Sequence, residues 1–498
     1  MTTPTDTRPP TGHAPVVVIG AGPIGLAAAV HLLERGLHPV VLESGDRAGA
    51  AVTEWGHVRL FSRWSELVDP AARRLLEPTG WVAPDPGRYP TGAEWVQLYL
   101  QPLAEALGDR VRYGQTVTGV ARAGRDLVVD SGREDQPYTV HVLDAGGRAG
   151  RLSARAVVDA SGTWTTPNPL GSDGYPADGE QHPAIAEHVA YRVPDIADPT
   201  TADPAEVARY GGRRTAVVGS GHSALTALVA LATLAELVPG TKAVWVLRRG
   251  AVGNAYGGGD ADQLPARGAL GVRAREAVAA GHIEVVTGFR TQAVELLGEQ
   301  TRGTGAGALT LVGEDGTRID GLDEVIGLTG FRPDHAILSE VRLRLDTRLE
   351  APAALAPLID PNVHSCGTVY PHGATELAHD EPDLYVVGMK AYGRAPTFLA
   401  LTGYEQVRSV AAALAGDHAA ATRVELTLPE TGVCGGAGLF DEAEATTAGA
   451  QGGGCCGAAP AADEDTLAIA ALSTARSAPQ LVQIGSPTGS GGCIPSGC

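Results

Sequence analysis

Two glycine-rich turns contain the residues of this chain whose types and spacing best suit cofactor chemistry. The first turn runs from Gly20 to Gly25, directly after the apolar stretch Val16–Ile19. The second runs from Gly219 to Ala224, directly after Ala216–Val218. An alanine- and leucine-rich helical pattern follows each turn, which is the strand–turn–helix context of a dinucleotide site. We therefore predict two such sites, one for a cofactor that stays bound and one for a cofactor that visits.

The first turn has a residue for each task of a dinucleotide-binding turn. Gly20 permits the tight bend, Gly22 lets the backbone approach a diphosphate, and Gly25 allows the helix to pack closely on the strand. The helix is predicted from about Gly25 to Arg35, and the free N–H groups at its start attract an anion; Pro23 is a further expected FAD contact. Glu43 ends the next apolar stretch, where a carboxylate can accept hydrogen bonds from ribose hydroxyls and would repel a 2′-phosphate. The first site is therefore expected to take FAD or NAD rather than NADP. The alternative is an accidental glycine-rich turn beside an exposed glutamate.

The second turn lacks an acidic residue at the matching position. Arg248 and Arg249 stand there instead, after the apolar run Val244–Leu247. Guanidinium groups bind a 2′-phosphate through paired, charge-assisted hydrogen bonds, so this site is expected to take NADPH. The alternative is a pair of solvated charges at the end of a strand. The other residues predicted to contact NADPH are Gly219, Ser220, Gly221, His222 and Ser223.

The elements that position these turns predict an α/β fold with two Rossmann-like dinucleotide-binding domains. The domain for the first cofactor is predicted to be split in sequence, with residues 14–180 as its first part and residues 321–428 as its second. Residues 190–320 are predicted to form the other dinucleotide domain. The strand pattern Glu324–Leu328 is expected to return the chain to the first domain. Residues 429–498, rich in Gly, Ala and Thr, are interpreted as a flexible, cysteine-containing tail.

Two local patterns follow the first β-α unit. Thr91 and Glu94 match a capping box, which predicts a helix that extends to about Leu107. Short alternating stretches then predict an antiparallel meander within the first domain. Its three strands are expected at Gln115–Val120, Leu127–Asp130 and Tyr138–Leu143.

The charge of the chain excludes some classes of partner. The 498 residues include 57 acidic residues against 38 Lys and Arg, and the formal net charge is −19. Nucleic acid and anionic membranes both require a basic face, so neither is expected as a partner. No signal peptide is apparent, and the cysteines are not spread through the chain as in a disulfide-stapled secreted domain. A cytoplasmic location is therefore expected.

Five of the six cysteines lie in the last part of the chain. Thiolates are soft ligands that select soft centres, and trivalent arsenic is such a centre. The adjacent pair is expected to stay reduced because a disulfide between neighbouring residues is strained. The tail is therefore predicted to offer metalloid-binding thiolates, unless its cysteines have no function. The candidate thiolates are Cys434, Cys455, Cys456, Cys493 and Cys498.

The order of the motifs resembles that of the class B flavin monooxygenases. Gly20–Gly25 is similar to their FAD turn, and Gly219–Ala224 is similar to their G-x-G-x-S-[AG] NADPH turn. Asp159–Gly162 and Leu328–Pro333 resemble the two crossovers between their domains. The resemblance implies bound FAD and visiting NADPH. The further FAD contacts that we expect are Val117, Ser161, Gly162 and Gly388.

Within that class, the chain resembles the flavin monooxygenase-like proteins of bacterial arsenic-resistance operons. The similar stretches are Trp55–Ser62, Tyr89–Trp95, Gly219–Leu225 and Glu430–Cys434. Two departures from related families are clear. The F-x-G-x-x-x-H fingerprint of the monooxygenases is missing, and so is the C-x-x-C pair of the disulfide reductases.

These features predict an FAD- and NADPH-dependent monooxygenase that transfers one atom of molecular oxygen to a small-molecule soft nucleophile. The resemblance suggests a trivalent arsenical, with sulfur or nitrogen compounds as other acceptors. One alternative is an NADPH-dependent reductase that passes electrons through the tail cysteines to a metal, metalloid or disulfide; another is a metalloid-sequestering protein. Trp55, His57 and Asn168 are candidates for contacts with flavin or substrate, and no general base is assigned. A homodimer is left open.

Overall fold

The computed structural model describes residues 14–198, 201–257, 262, 264–296, 308–363, 372–396 and 398–426. The strands in these ranges are β1 (Val16–Ile19), β2 (Pro39–Leu42), β3 (Val111–Arg112), β4 (Gln115–Arg122), β5 (Tyr138–Asp144), β6 (Ala149–Ala154), β7 (Ala156–Asp159), β8 (Val189–Ala190), β9 (Arg214–Val218), β10 (Lys242–Val246), β11 (Ile283–Val286), β12 (Thr291–Leu296), β13 (Leu309–Gly313), β14 (Arg318–Leu322), β15 (Glu324–Gly327) and β16 (Leu384–Val386). The α-helices are α1 (Pro23–Glu34), α2 (Ala50–Glu54), α3 (Trp64–Leu67), α4 (Pro70–Leu76), α5 (Gly92–Trp95), α6 (Gln101–Leu107), α7 (Pro183–Ala186), α8 (Pro204–Tyr210), α9 (His222–Leu237), α10 (Pro265–Ala279), α11 (Ala356–Ile359), α12 (Ala400–Leu414) and α13 (His418–Thr422). A π-helical segment spans Val96–Leu100, and a 3-10 segment spans Gly388–Tyr392.

The first sheet is parallel and contains the strand that leads into the first turn. Its order is β16-β7-β1-β2-β3. β1 is buried along its whole length, as expected for an apolar strand covered on both faces of a parallel sheet. Parallel strands end at one edge, so the chain that follows β1, β7 and β16 meets there. This carboxyl edge is where open α/β sheets bind their ligands.

The second sheet is also parallel, in the order β11-β10-β9-β15-β8. The prediction that the strand near residue 324 returns the chain to the first domain is wrong, because β15 pairs with β9 and completes the second sheet. Adjacent residues of β15 explain this placement: Val325 packs on one face of the sheet, against the layer of β12, β13 and β14, and Ile326 packs on the other, against α9. The chain rejoins the first sheet only at β16. The domain boundaries themselves stay a prediction.

The meander consists of β4, β5 and β6 in antiparallel pairs. The predicted strand at Leu127–Asp130 is wrong, and β6 takes the place of the third strand. The Asp126 carboxylate accepts hydrogen bonds from two of the next backbone N–H groups, which bends the stretch into a turn. Arg133 donates to the backbone carbonyl of Asp126 and forms a buried ion pair with Glu381 at 2.8 Å. The polar groups of this loop are therefore satisfied outside any sheet.

The helical run predicted from the capping box is present but is not uniform. Thr91 and Glu94 exchange the two hydrogen bonds of a capping box, as predicted. The π-helical segment separates α5 from α6. Pro102 has no N–H to offer the carbonyl of Leu98, and that carbonyl accepts a hydrogen bond from the Trp81 indole at 2.7 Å instead.

The two parallel sheets and their helices confirm the predicted α/β class. The predicted tail, residues 429–498, lies outside the described residues. Within the described ranges, no helix is both long and apolar enough to cross a bilayer.

Candidate functional site

The first turn has the shape that a diphosphate-binding turn requires. Gly20 has φ +98°, and a Cβ there would lie 2.9 Å from the carbonyl oxygen of Ala160 at the end of β7. A Cβ at Gly25 would lie 1.9 Å from the carbonyl oxygen of Gly20. At Gly22, by contrast, nothing lies within 4 Å of the Cβ position. Two glycines are thus required by the fold, whereas the third faces open space.

The open space lies at the N-terminus of α1. Gly22 is the N-cap of this helix, no side chain caps it, and Pro23 occupies the first helical position. The backbone N–H groups of the first turn are therefore available to an anion, and the helix dipole favours one. This end of the helix fits the diphosphate of a dinucleotide.

Glu43 connects the end of β2 to the first turn. One carboxylate oxygen accepts a hydrogen bond from the Ala21 N–H at 2.7 Å, and the other accepts one from the Gly45 N–H at 2.8 Å. The side chain is buried and acts as a brace for the turn. The second oxygen also accepts from the Ser44 hydroxyl at 3.4 Å, whereas the first retains a lone pair for which a ribose hydroxyl is a suitable donor. The ribose contact of Glu43 stays a prediction.

The chain after β7 and the chain after β16 complete this edge of the sheet. Ser161 is exposed, and Gly162 has φ +73°. Gly388 also has positive φ and lies against Ile24 of α1, and its N–H donates to Gln406 of α12 at 2.7 Å. These predicted FAD contacts therefore lie beside the first turn. Val117 is different, since its side chain packs in the core and only its backbone could face a ligand.

The second turn repeats the geometry of the first. Gly219 has φ +142°, and a Cβ there would lie 2.2 Å from the carbonyl oxygen of Leu328, which follows β15. Nothing lies within 4 Å of the Cβ position of Gly221, the uncapped N-cap of α9. The Trp245 indole, in β10, donates to the Gly219 carbonyl at 2.8 Å and so fixes the turn to the sheet. Ser220 and Ser223 flank the open space. The second helix end therefore also fits a dinucleotide.

His222 begins α9 and is held neutral. Burial, the largest cause, and the positive charge of Arg267 together lower its pKa to about 4, although the negative charge of Asp262 partly opposes the shift. The ring of Phe61 packs edge-on against the His222 ring, with centroids 5.6 Å apart. A neutral imidazole adds no positive charge at this helix end, so the backbone N–H groups and the helix dipole supply its attraction for an anion.

The two arginines predicted to bind a 2′-phosphate follow β10. Arg248 is exposed and donates to the Ser172 carbonyl at 3.3 Å. Arg249 is half-buried, and its carbonyl accepts a hydrogen bond from the Gly288 N–H. Both residues lie at the carboxyl end of the strand next to β9, as the prediction requires. Binding of a 2′-phosphate stays a prediction.

The two crossovers pack against each other, and Asn168 belongs to this contact. Its Nδ2 donates to the Thr329 carbonyl at 3.0 Å, and its Oδ1 accepts from Arg332 at 2.8 Å. Trp164 and Phe331 pack with ring centroids 5.1 Å apart. Asn168 therefore joins the crossovers, and its predicted contact with flavin stays a prediction.

Trp55 and His57 directly follow α2, and each has a defined packing or hydrogen-bond partner. The ring of Trp55 packs on Gly92, where an added Cβ would lie 2.9 Å from it. His57 Nε2 forms a hydrogen bond with the carbonyl of Val193 at 3.1 Å. The indole of Trp164 donates to Glu54 at 2.8 Å. The aromatic segment Trp55–Phe61 thus runs from the core of the first sheet to the second turn, where Phe61 meets His222. The predicted contacts of Trp55 and His57 with flavin or substrate stay a prediction.

The candidate thiolates of the tail, Cys434, Cys455, Cys456, Cys493 and Cys498, lie outside the described residues. In the described part of the chain, no group of three or more His, Cys, Asp or Glu side chains is arranged to hold a metal ion.

The sequence did not predict three residues that hold the backbone at the carboxyl edges of the two parallel sheets. Lys390, in the 3-10 segment after β16, forms a buried ion pair with Asp159 at 2.7 Å. Gln406 holds Gly388, and Trp245 holds Gly219. These contacts join distant parts of the chain and follow no periodic pattern. The one signal in the sequence is the rarity of lysine, which could have drawn attention to Lys390.

A family model described as pyridine nucleotide-disulphide oxidoreductase matches residues 17–354. Among curated proteins, the chain is 35% identical over 120 residues to the indole-3-pyruvate monooxygenase YUCCA1 of Oryza sativa subsp. japonica. This alignment covers 24% of the chain and only 27% of the length of that relative.

Two solved structures share the fold over most of their length. Bacillithiol disulfide reductase Bdr (YpdA) from Bacillus cereus has a TM-score of 0.57 and 19% identity, and the match covers 81% of this chain and 99% of that chain. DfoA, the FAD-bound cadaverine monooxygenase of desferrioxamine biosynthesis from Erwinia amylovora, has a TM-score of 0.54 and 16% identity, with 84% and 98% covered. One is a reductase and the other a monooxygenase, so the shared fold does not choose between the two reactions.

Proposed function

Because the chain belongs to the pyridine nucleotide-disulphide oxidoreductase family, whose members use FAD and NAD(P)H, we propose that it is an FAD- and NADPH-dependent monooxygenase. The observation that carries the proposal is the pair of turns. Gly22 and Gly221 each face open space at an uncapped helix end, on the carboxyl edge of separate parallel sheets. Two such sites suit one resident and one visiting dinucleotide.

The charges of the residues at each turn support this choice of cofactors. The first turn, with Glu43 buried beside it, suits the FAD ribose and disfavours a 2′-phosphate. The second has no such acid, and Arg248 and Arg249 end the neighbouring strand there. An arginine provides a planar set of donors that matches a phosphate group. NADPH is therefore the preferred donor at the second site.

The aromatic side chains near the two turns suit a reaction from which water must be excluded. When bound, FAD supplies the chemistry, because it accepts electrons from NADPH and activates molecular oxygen. The chain supplies positions and half-buried aromatic surface: Phe61 packs on His222, and Trp164 packs on Phe331. Shielding of a reactive cofactor from water is the protein's main task in such chemistry. The neutral His222 fits this role, since it adds no charge to the junction.

The proposed acceptor is a soft nucleophile, with a trivalent arsenical as the first candidate and sulfur or nitrogen compounds as others. The arsenical rests on the resemblance of Trp55–Ser62 and Glu430–Cys434 to proteins of arsenic-resistance operons, and on the five cysteines of the tail. Thiolates are soft ligands, and trivalent arsenic is a soft centre that they bind.

A reductase is the second candidate. The fold similarity to a bacillithiol disulfide reductase and the adjacent Cys455 and Cys456 favour it. The lack of a C-x-x-C pair in the sequence argues against a reductase that uses a flavin-side dithiol of that spacing.

The deciding experiment follows NADPH oxidation by FAD-loaded protein in air, with and without a trivalent arsenical, while oxygen uptake and hydrogen peroxide are measured. A monooxygenase consumes NADPH and oxygen faster when the arsenical is added, without a matching rise in peroxide. Stimulation that persists without oxygen would establish the reductase instead. If NADPH is converted only to peroxide, the arsenical is not the acceptor, and sulfur and nitrogen nucleophiles are tested in the same assay.

A paired cysteine variant separates the two candidates further. Changing Cys455→Ser and Cys456→Ser together should abolish anaerobic turnover by a reductase that uses this pair. A monooxygenase should retain its oxygen-dependent NADPH oxidation with acceptors other than arsenicals.

A further inference from the structure

The ion pair between Lys390 and Asp159 is unusual for this chain. Of 38 Lys and Arg residues, only Lys242 and Lys390 are lysines. Lys242 is exposed at the start of β10, whereas Lys390 is 2% exposed. A chain that uses arginine almost everywhere thus has a compact ammonium at one buried position. An ammonium directs its three N–H donors from a single point, which a planar guanidinium cannot do.

The partners of Lys390 connect it to the edge where the first turn lies. Its Nζ donates to Asp159 Oδ2 at 2.7 Å and to Ser161 Oγ at 3.0 Å. The other oxygen of Asp159 accepts a hydrogen bond from the Ser161 N–H at 3.0 Å. Asp159 is fully buried, but Ser161 is exposed. The buried pair therefore holds an exposed serine by two bonds, one to its backbone and one to its hydroxyl.

These bonds determine which way the Ser161 hydroxyl can act. Its oxygen already accepts from a charged donor, so its own hydrogen must point away from Lys390. No described residue accepts a hydrogen bond from this hydroxyl; its donor capacity is directed to the ligand edge. Ser161 also flanks the first turn, because a Cβ on Gly20 would lie 3.2 Å from the Ser161 Cα.

We propose that Lys390 is a positioning residue for FAD, which acts through Ser161 so that the serine hydroxyl donates to an oxygen of the diphosphate or ribityl part of the cofactor. Asp159 neutralises the ammonium and holds the Ser161 backbone, and Lys390 orients and polarises the hydroxyl. A donor that is itself bound to an ammonium makes a stronger hydrogen bond than a free hydroxyl. The inference rests on the proposed binding of FAD at the first sheet.

The test is a double-mutant cycle on FAD affinity. The apoprotein is titrated with FAD, and flavin fluorescence is followed for Ser161→Ala, Lys390→Met and the double variant. Each single change is expected to weaken FAD binding by about tenfold, the effect of one hydrogen bond to a charged or polarised group. Both changes remove the same hydrogen bond to FAD. The FAD affinity of the double variant should therefore equal that of the single variant with the lower affinity.

Control variants separate positioning from a merely structural role. Lys242→Met removes the other lysine and should leave FAD affinity unchanged. Ser161→Thr keeps the hydroxyl and should retain most of the affinity. Ser161→Ala removes only one of the two hydrogen bonds of the Lys390 ammonium and leaves its ion pair with Asp159 intact, so the melting temperature of the apoprotein should fall by only a few degrees, even if Lys390→Met folds poorly. Normal FAD affinity in Ser161→Ala, or single effects that multiply in the double variant, would overturn the inference. If the unaltered chain bound no FAD, the proposed function would fail instead.

Discussion

Replacing Gly22 by alanine places one methyl group in the open space at the first helix end. The backbone of Gly22 has φ −75° and ψ −178°, which an alanine adopts without strain. Alanine is a poorer N-cap than glycine, so the free energy of unfolding should fall by only about 0.5–1 kcal/mol. The methyl group would, however, stand where a diphosphate must approach the N–H groups. Loss of one such charge-assisted hydrogen bond, about 1.5–3 kcal/mol, weakens binding roughly 10- to 100-fold.

Two matched changes make the prediction specific. Gly221→Ala has the same open surroundings and extended backbone at the second helix end. It should weaken NADPH binding and leave FAD binding unchanged. Gly25→Ala places a Cβ 1.9 Å from the carbonyl oxygen of Gly20, so the backbone must move. That variant should lose about 3 kcal/mol of stability with or without a cofactor.

The assay measures thermal unfolding of the apoprotein, the FAD dissociation constant by fluorescence, and the NADPH dissociation constant of the FAD-loaded protein. The expected pattern is a selective loss of FAD in Gly22→Ala and of NADPH in Gly221→Ala. Unchanged FAD affinity in Gly22→Ala would refute the placement of the diphosphate at the first turn. If Gly22→Ala instead lost NADPH and Gly221→Ala lost FAD, then FAD would bind at the second sheet and NADPH at the first.

Three further changes test the charges. His222→Gln should lessen the loss of stability below about pH 6.5. The folded-state pKa of about 4 lies below the unfolded value, so protonation favours the unfolded chain by about 2 kcal/mol at pH 4.5; equal slopes of unfolding free energy against pH in both proteins would contradict this. Arg248→Ala should raise the KM for NADPH about tenfold and leave that for NADH unchanged, and equal effects on both in steady-state assays would exclude a 2′-phosphate contact. Glu381→Gln should cost about 3–5 kcal/mol in urea unfolding, because Arg122 and Arg133 are both buried against this carboxylate; a loss below about 1 kcal/mol would mean that water reaches the pair.

Periodicity and turn chemistry predicted the parts of the fold that depend on local sequence. The buried strands before both turns, the helices after them, and the Thr91 capping box follow from residues that are neighbours in the chain. The error at Leu127–Asp130 has a different origin, because that stretch is apolar like a strand but its backbone is bound by side chains: Asp126 bends it into a turn, and Leu127 bonds with the distant Glu340 and Arg342. An apolar strand also does not reveal which sheet it joins, and β15 was assigned to the wrong one for this reason.

The candidate site was predictable only where a motif has a fixed spacing. The turn glycines lie where predicted, at helix ends that fit an anion. The ion pair of Lys390 with Asp159 joins residues that are far apart in sequence, and such a contact leaves no periodic pattern. Asn168 follows the crossover as expected, yet its side chain joins the two crossovers.

The position of β16 has a consequence for how the protein is made. This strand pairs with β7, yet every strand of the second sheet lies between them in sequence. During synthesis, the second sheet can therefore assemble while the first still has an open edge along β7. An exposed edge of an apolar parallel strand is a site for unwanted pairing, so a chain stopped before β16 is expected to aggregate. Lys390 leaves the ribosome with this last strand, so capture of FAD is expected to follow completion of the first sheet, after most of the chain has been made.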